Sequence, residues 1–188
     1  MVDTELTEIP GCYVLQTRVL RDARGAFVKT FHMPRFDELG MRTDWREEYF
    51  STSAIGVVRG MHFQLPPADH AKMVFCLTGE VLDVVVDLRR GSPAFGRTLG
   101  FTLSAENGRG LYLPTGCAHG FVSRATDSGM YYKVTSTHSP KHDAGIAWDS
   151  LGFDWSVAAP SLSDRDRHHP ALADFDTPFV FDPAQAAR

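Results

Sequence analysis

The segment Val58-Arg59-Gly60-Met61-His62-Phe63-Gln64 sets a histidine inside a strand pattern, with Arg59, Met61 and Phe63 alternating with Gly60, His62 and Gln64. Residues two apart on a strand share a face, so His62 and Gln64 point together and away from Met61 and Phe63. An imidazole titrates near neutrality and can accept a proton from substrate, or it can simply pair inside a core. Lys72 closes the polar run Leu65-Pro66-Pro67-Ala68-Asp69-His70-Ala71-Lys72 and opens an apolar strand at Met73. It is either a solvated edge residue or an interior ammonium that stabilises an oxyanion. In Met130-Tyr131-Tyr132-Lys133-Val134-Thr135 the adjacent tyrosines must face opposite sides, so one at most enters a cavity readily. A phenol there could donate a proton, or only satisfy a buried hydrogen bond. In Leu162-Ser163-Asp164-Arg165-Asp166 either aspartate could orient a histidine, unless the run is a solvated turn.

Such groups act together only if short elements converge on one cavity. Strands are expected at 13–20, 26–31, 45–53, 57–64, 72–77, 81–88, 98–103, 110–113, 120–123 and 130–135. Turn chemistry separates them: Thr78-Gly79, Arg90-Gly91-Ser92-Pro93, Glu106-Asn107-Gly108 and Pro114-Thr115-Gly116. Many short strands with closely spaced turns define an all-β sandwich or barrel rather than βαβ units. One short helix is expected at 34–39, with Pro34 in its first turn and Gly40 just past its end. From Gly152 onward four prolines and a polar run at 163–169 indicate an irregular segment packed on the β core, with 182–188 frayed.

The 188 residues suit one domain, 1–188, with 43% hydrophobic and 22% charged side chains. A net charge of −4 lacks the basic footprint that nucleic-acid binding needs. The acidic start, Met1-Val2-Asp3-Thr4-Glu5, has no secretion signal, and no apolar run is long enough to span a bilayer. Three widely spaced cysteines without a C-x-x-C pair fit free thiols in a reducing, cytoplasmic setting.

Leu113-Pro114-Thr115-Gly116-Cys117-Ala118-His119-Gly120-Phe121 resembles the second signature of the cupin superfamily, with His119 facing the cavity. The first cupin signature normally supplies a His-x-His pair for metal, whereas this chain offers His62 and Lys72. A lysine in place of a ligand repels a divalent cation, so no metal and no cofactor are expected.

Most of the chain, from about Ile9 to Asp166, resembles the dTDP-4-dehydrorhamnose 3,5-epimerase family. The resemblance is carried by Asp22-x-Arg24-Gly25-x-Phe27, Arg59-Gly60-Met61-His62-Phe63-Gln64-Leu65-Pro66-Pro67, Gly79-Glu80-Val81-x-Asp83-Val84-x-Val86-Asp87, Gly91-Ser92-Pro93-x-Phe95-Gly96, Leu103-Ser104-Ala105-Glu106-Asn107, Ala118-His119-Gly120-Phe121 and Tyr132-Lys133. It implies a double-stranded β-helix jelly roll, a metal-free homodimer with exchanged N-terminal strands, and a nucleotide-diphosphate 4-keto-6-deoxy sugar as substrate. It also implies that His62 is the base, paired with Asp166, that Tyr132 is the acid, and that Lys72 sits beside the ketone oxygen. Arg59, Gln64, His119 and Asp143 would line the site. Arg24 and Arg165 would hold the nucleotide, Arg24 reaching over from the second subunit alongside Phe27.

Departures from that family pattern gather around the ligand: Lys29 for a glutamate, Glu47-Glu48-Tyr49 for Gln-Asp-Asn, Thr137-His138 for an aromatic pair, and Asp164 for a lysine. They point to a specialised epimerase that acts at C3, C5 or both. The rival readings are a 3,4-ketoisomerase of the same jelly-roll group, a metal-dependent cupin oxygenase, and a non-catalytic sugar-nucleotide sensor.

Overall fold

A computed structural model describes residues 2–186; Ala187 and Arg188, part of the segment expected to fray, lie outside the described residues. Among the described residues thirteen strands run in chain order: β1 (Val2–Leu6), β2 (Tyr13–Thr17), β3 (Val19–Asp22), β4 (Gly25–Val28), β5 (Glu47–Ser53), β6 (Val58–Gln64), β7 (Lys72–Thr78), β8 (Glu80–Asp87), β9 (Thr98–Ser104), β10 (Arg109–Leu113), β11 (Cys117–Ser123), β12 (Ser128–Val134) and β13 (Asp143–Gly145). A six-stranded sheet has the order β1-β2-β10-β7-β12-β5, and a five-stranded sheet β13-β6-β11-β8-β9. The β3–β4 hairpin pairs with neither. The named strand pairings are all antiparallel, and the two sheets face each other as a jelly roll.

Side-chain alternation builds three layers. Val81 and Val85 of β8 join Val14, Val74, Phe121 and Met130 between the sheets. The intervening Leu82, Val84 and Val86 pack outward with Met61, Phe63, Trp155 and Phe179 of the C-terminal segment. Behind the six-stranded sheet, Met73 and Phe75 pack on Phe36 of helix α1 (Met33–Glu38). Each large side chain so buried contributes roughly 1.5–3 kcal/mol. The same parity turns Lys72, Asp83, His119, Tyr132 and His62 inward, because their neighbours one residue away belong to the outer layers or face solvent.

The expected strands are present with shifted ends, and four differences stand out. Arg18 divides the expected 13–20 strand into β2 and β3, and β11 begins at Cys117, so His119 lies within a strand rather than in the turn before it. The short β1 and β13 were not anticipated; β1 is polar and recognisable only by its pairing with β2. Residues 183–186, expected to fray, form the short helix α2 (Pro183–Ala186). Between them, 148–174 carry three short 3₁₀ turns, in keeping with an irregular tail.

One correction matters for the site. Simple alternation set Arg59 on the face opposite His62. On β11, His119 pairs with His62 and Phe121 with Arg59, so three steps on β6 match two on β11. This bulge re-phases the strand and brings Arg59 to the same side as His62. Gly60 permits it with φ +137°, and a Cβ there would lie 2.5 Å from the Gly120 Cα. Among the described residues no helix is long and apolar enough to cross a membrane.

Candidate active site

Between the sheets, at the end where polar side chains face inward, lies a cavity of about 340 Å³. The five-stranded sheet contributes His62, Gln64 and Arg59 from β6, His119 from β11 and Asp143 from β13. The six-stranded sheet contributes Lys72 from β7, Tyr132 from β12, and Glu47, Tyr49 and Ser51 from β5. Arg165 closes one side. The cavity therefore has an imidazole wall and a facing phenol wall.

His62 Nε2 lies 2.6 Å from Asp166 Oδ1. Asp166 is buried at the start of a 3₁₀ turn, its N–H donating to Ser163 Oγ at 3.1 Å. Burial opposes ionisation of Asp166, but the bond to His62, its charge and donors from Gly60 and Ser163 outweigh it and lower the carboxyl pKa. Burial likewise lowers the His62 pKa, against the raising effect of Asp166. Near neutral pH the imidazole is thus uncharged. With Asp166 ionised, the ring proton sits on Nε2 and Nδ1 keeps its lone pair for the cavity.

Tyr132 is 6% exposed, and burial raises its pKa, so the phenol stays protonated. Its hydroxyl lies 3.3 Å from Ser51 Oγ, and its ring stacks on Tyr49 with centroids 4.7 Å apart and 18° between planes. Tyr131 turns outward as alternation requires, donating to Glu48 at 2.7 Å. Lys72 is 8% exposed; burial brings its pKa down to about 8, with Asp83 and Asp143 partly compensating. His119 Nε2 sits 2.8 Å from Asp83 Oδ2, a second imidazole–carboxylate pair beside the first. Arg165 is bound to Asp143 at 2.7 Å. Gln64 is fixed by its neighbours, donating to Ala68 O at 2.8 Å and accepting from the Ser139 N–H at 2.6 Å.

Arg24, Phe27 and Lys29 are not brought to this cavity. They lie on or beside the β3–β4 hairpin, exposed, and Arg24 is paired with Asp22. Sequence reasoning missed Asp83, Ser51 and His169 as site residues and met His138 only as a departure from the family pattern around the ligand. Asp83 had a signal, being an acid inside the apolar β8 run; the others are ordinary polar residues whose roles depend on what packs opposite.

The jelly-roll fold calls for a test of metal in this cavity. Toward the cavity the donor set does not fit, because the Lys72 ammonium lies among the inward groups and His119 Nε2 is committed to Asp83. A cysteine nucleophile also lacks support. All three cysteines are buried and free, and burial pushes Cys12 to about 12 and Cys76 to about 11, the reverse of an activated thiolate.

An acid/base enzyme on a jelly-roll frame is the class this fold and site define. The family model for dTDP-4-dehydrorhamnose 3,5-epimerase matches residues 6–174, and the chain belongs to that family of isomerases. It is 42% identical over 172 residues to the dTDP-4-dehydrorhamnose 3,5-epimerase of Pseudomonas aeruginosa, covering 89% of this chain and 94% of that one. Among solved structures, a 4-keto-6-deoxy sugar epimerase from the novobiocin gene cluster of Streptomyces spheroides superposes with TM-score 0.91 at 33% identity, over 99% of this chain and 96% of the other. The Legionella pneumophila dTDP-6-deoxy-D-glucose-3,5-epimerase, solved with dTDP-4-keto-L-rhamnose, gives TM-score 0.90 at 33% identity, over 97% and 100%.

Proposed function

We propose that this chain epimerises C3, C5 or both of a dTDP-4-keto-6-deoxy sugar, with His62 as base and Tyr132 as acid. The carrying observation is that the His62–Asp166 pair and the Tyr132 phenol come from facing sheets across one cavity. A ketone at C4 acidifies the adjacent C–H bonds, since loss of either proton gives an enolate. His62 Nδ1 takes the proton while Asp166 holds the ring and stabilises the imidazolium that forms. The developing enolate oxygen is stabilised by the Lys72 ammonium. Tyr132 delivers a proton to the other face and so inverts the carbon. Arg165 is read as a diphosphate contact, for which its forked charged donors are suited.

In this reading the chain works as a homodimer. The unpaired β3–β4 hairpin exposes Leu20 and Phe27, the edge strand β5 exposes Phe50, and a second copy would cover them. Because β1 is already paired with its own β2, the hairpin is the part offered for exchange, carrying Arg24, Phe27 and Lys29 toward the partner's cavity. The altered periphery supports a specialised substrate. Tyr49 covers Tyr132, and Glu47 accepts from the His138 N–H at 2.8 Å, positions where the family pattern has amides and an aromatic pair.

The test is incubation with dTDP-4-keto-6-deoxyglucose in D₂O, reading deuterium by NMR. Incorporation at C3, C5 or both with inversion is expected, and the pattern names the carbon. Movement of the carbonyl to C3 would establish a ketoisomerase instead, and tight binding without exchange a sensor.

Lys72 gives a pH prediction. Its charged form stabilises the enolate, is present below its pKa and is lost above it, so kcat/KM should fall as pH rises through about 8. Lys72→Met should lower kcat by ~10²–10³-fold. Lys72→Arg, which stays charged, should move the falling limb to higher pH; a limb left near 8 in that variant would remove Lys72 from this role.

A further inference from the structure

Behind His62, on the side away from the cavity, stands a third group with no part in the mechanism above. The His169 ring follows the 3₁₀ turn that carries Asp166 and packs edge-on to His62, centroids 5.8 Å apart at 72°. Its Nε2 is buried, has no hydrogen-bond partner, and lies 3.6 Å from Asp166 Oδ1, the same oxygen that meets His62. The space for the ring exists because residue 145 is glycine: a Cβ there would lie 2.5 Å from His169 Nε2. Gly145 is the β13 partner of His62, so the slot opens directly against the candidate base. One donor atom from each of His62, Asp166 and His169 falls within 4.8 Å of the others.

We propose that His62, Asp166 and His169 form an inhibitory site for a divalent transition metal, zinc(II) being the ion that two imidazoles and a carboxylate suit best. Ligand atoms about 2.0–2.1 Å from a tetrahedral zinc stand roughly 3.3 Å apart. The 3.6 Å spacing of His169 and Asp166 is close to that, and the 2.6 Å contact of His62 with Asp166 needs to open by a few tenths of an ångström. The carboxylates of Asp166 and Asp143 offset the nearby charges of Arg165 and Lys72. Burial lowers both histidine pKa values, which favours the neutral form that binds metal.

The consequence rests on the proposed role of His62 and follows from its tautomer. Metal on Nε2 displaces the proton held there, and a neutral imidazole must then carry its one proton on Nδ1. The nitrogen facing the cavity becomes a donor and cannot abstract a proton. Zinc would therefore stop turnover without displacing the nucleotide sugar.

The test uses the full-length protein freed of metal by chelation. Cobalt(II) titration, followed by visible absorption, should give the intense band of a tetrahedral nitrogen/oxygen site in the wild type. His169→Gln, which keeps much of the side-chain bulk, and His169→Ala should lose it. Zinc should suppress D₂O exchange in the wild type while dTDP affinity stays the same. In either variant, measured against its own metal-free rate, half-inhibition should need at least roughly tenfold more zinc, since losing a ligand costs no less than losing a supporting partner. Absence of the cobalt band, equal zinc sensitivity in the variants, or inhibition that competes with dTDP would overturn the proposal. The cobalt band needs no substrate, so it decides the metal site even if the exchange assay were to reject the epimerase reading.

Discussion

His62→Gln should lower kcat by ~10²–10⁴-fold and suppress solvent exchange to the same degree, while dTDP affinity stays within a few-fold of wild type. Glutamine is chosen because its amide nitrogen reaches the position of imidazole Nε2 and can still donate to the Asp166 carboxylate. Alanine would leave that buried acid without its partner and confuse catalysis with folding. The amide keeps the geometry but cannot accept a proton from carbon, so the loss belongs to the chemical step. In the wild type, burial holds the His62 pKa below its usual value. The active, neutral form is therefore present above that lowered value and is lost as pH falls through it. The acidic limb of kcat/KM should lie below the range of a free imidazole. A variant that kept exchange would transfer the role of base to another group, with the adjacent His119–Asp83 pair the first to be tested.

Tyr132→Phe should separate two events that the wild type performs together. Removing the hydroxyl leaves the ring stacked on Tyr49 and deletes only the contact with Ser51, so the variant should fold. Net epimerisation should fall by ~10²–10⁴-fold because no donor remains on the far face. Exchange should fall far less. His62 still removes the proton, the enolate still forms against Lys72, and the imidazolium can return deuterium to the face it came from. The expected product is substrate labelled with its configuration retained. If exchange and inversion declined in parallel, Tyr132 would be acting before proton removal, as a substrate-positioning residue rather than as the acid.

How far these roles could be read in the sequence differs from residue to residue. The parity of Met61 and Phe63 against His62 and Gln64 was visible in one strand, as was the opposition of Tyr131 to Tyr132. Apolar packing fixes which side of a strand turns inward, so these survived into the fold. Arg59 did not, because a bulge is an interstrand event: three residues on β6 match two on β11, and nothing in β6 alone counts its partner. Asp166 could be chosen over Asp164 only by resemblance, since both lie in the same polar run. What separates them is the turn that buries one against His62. His169 escaped notice for a related reason, as its place depends on the missing side chain of Gly145, twenty-four positions earlier in the chain. Arg24, Phe27 and Lys29 mark the limit of a single chain, being on the hairpin that pairs with neither large sheet.

A structure of the protein with a bound dTDP-4-keto-6-deoxy sugar addresses proton relay across the ring most directly. His62 Nδ1 and the Tyr132 hydroxyl should approach the same carbon from opposite faces, each within about 3.5 Å, with the Lys72 ammonium at the ketone oxygen. Finding both groups on one face of the sugar, or the sugar seated away from the cleft between the two sheets, would contradict it.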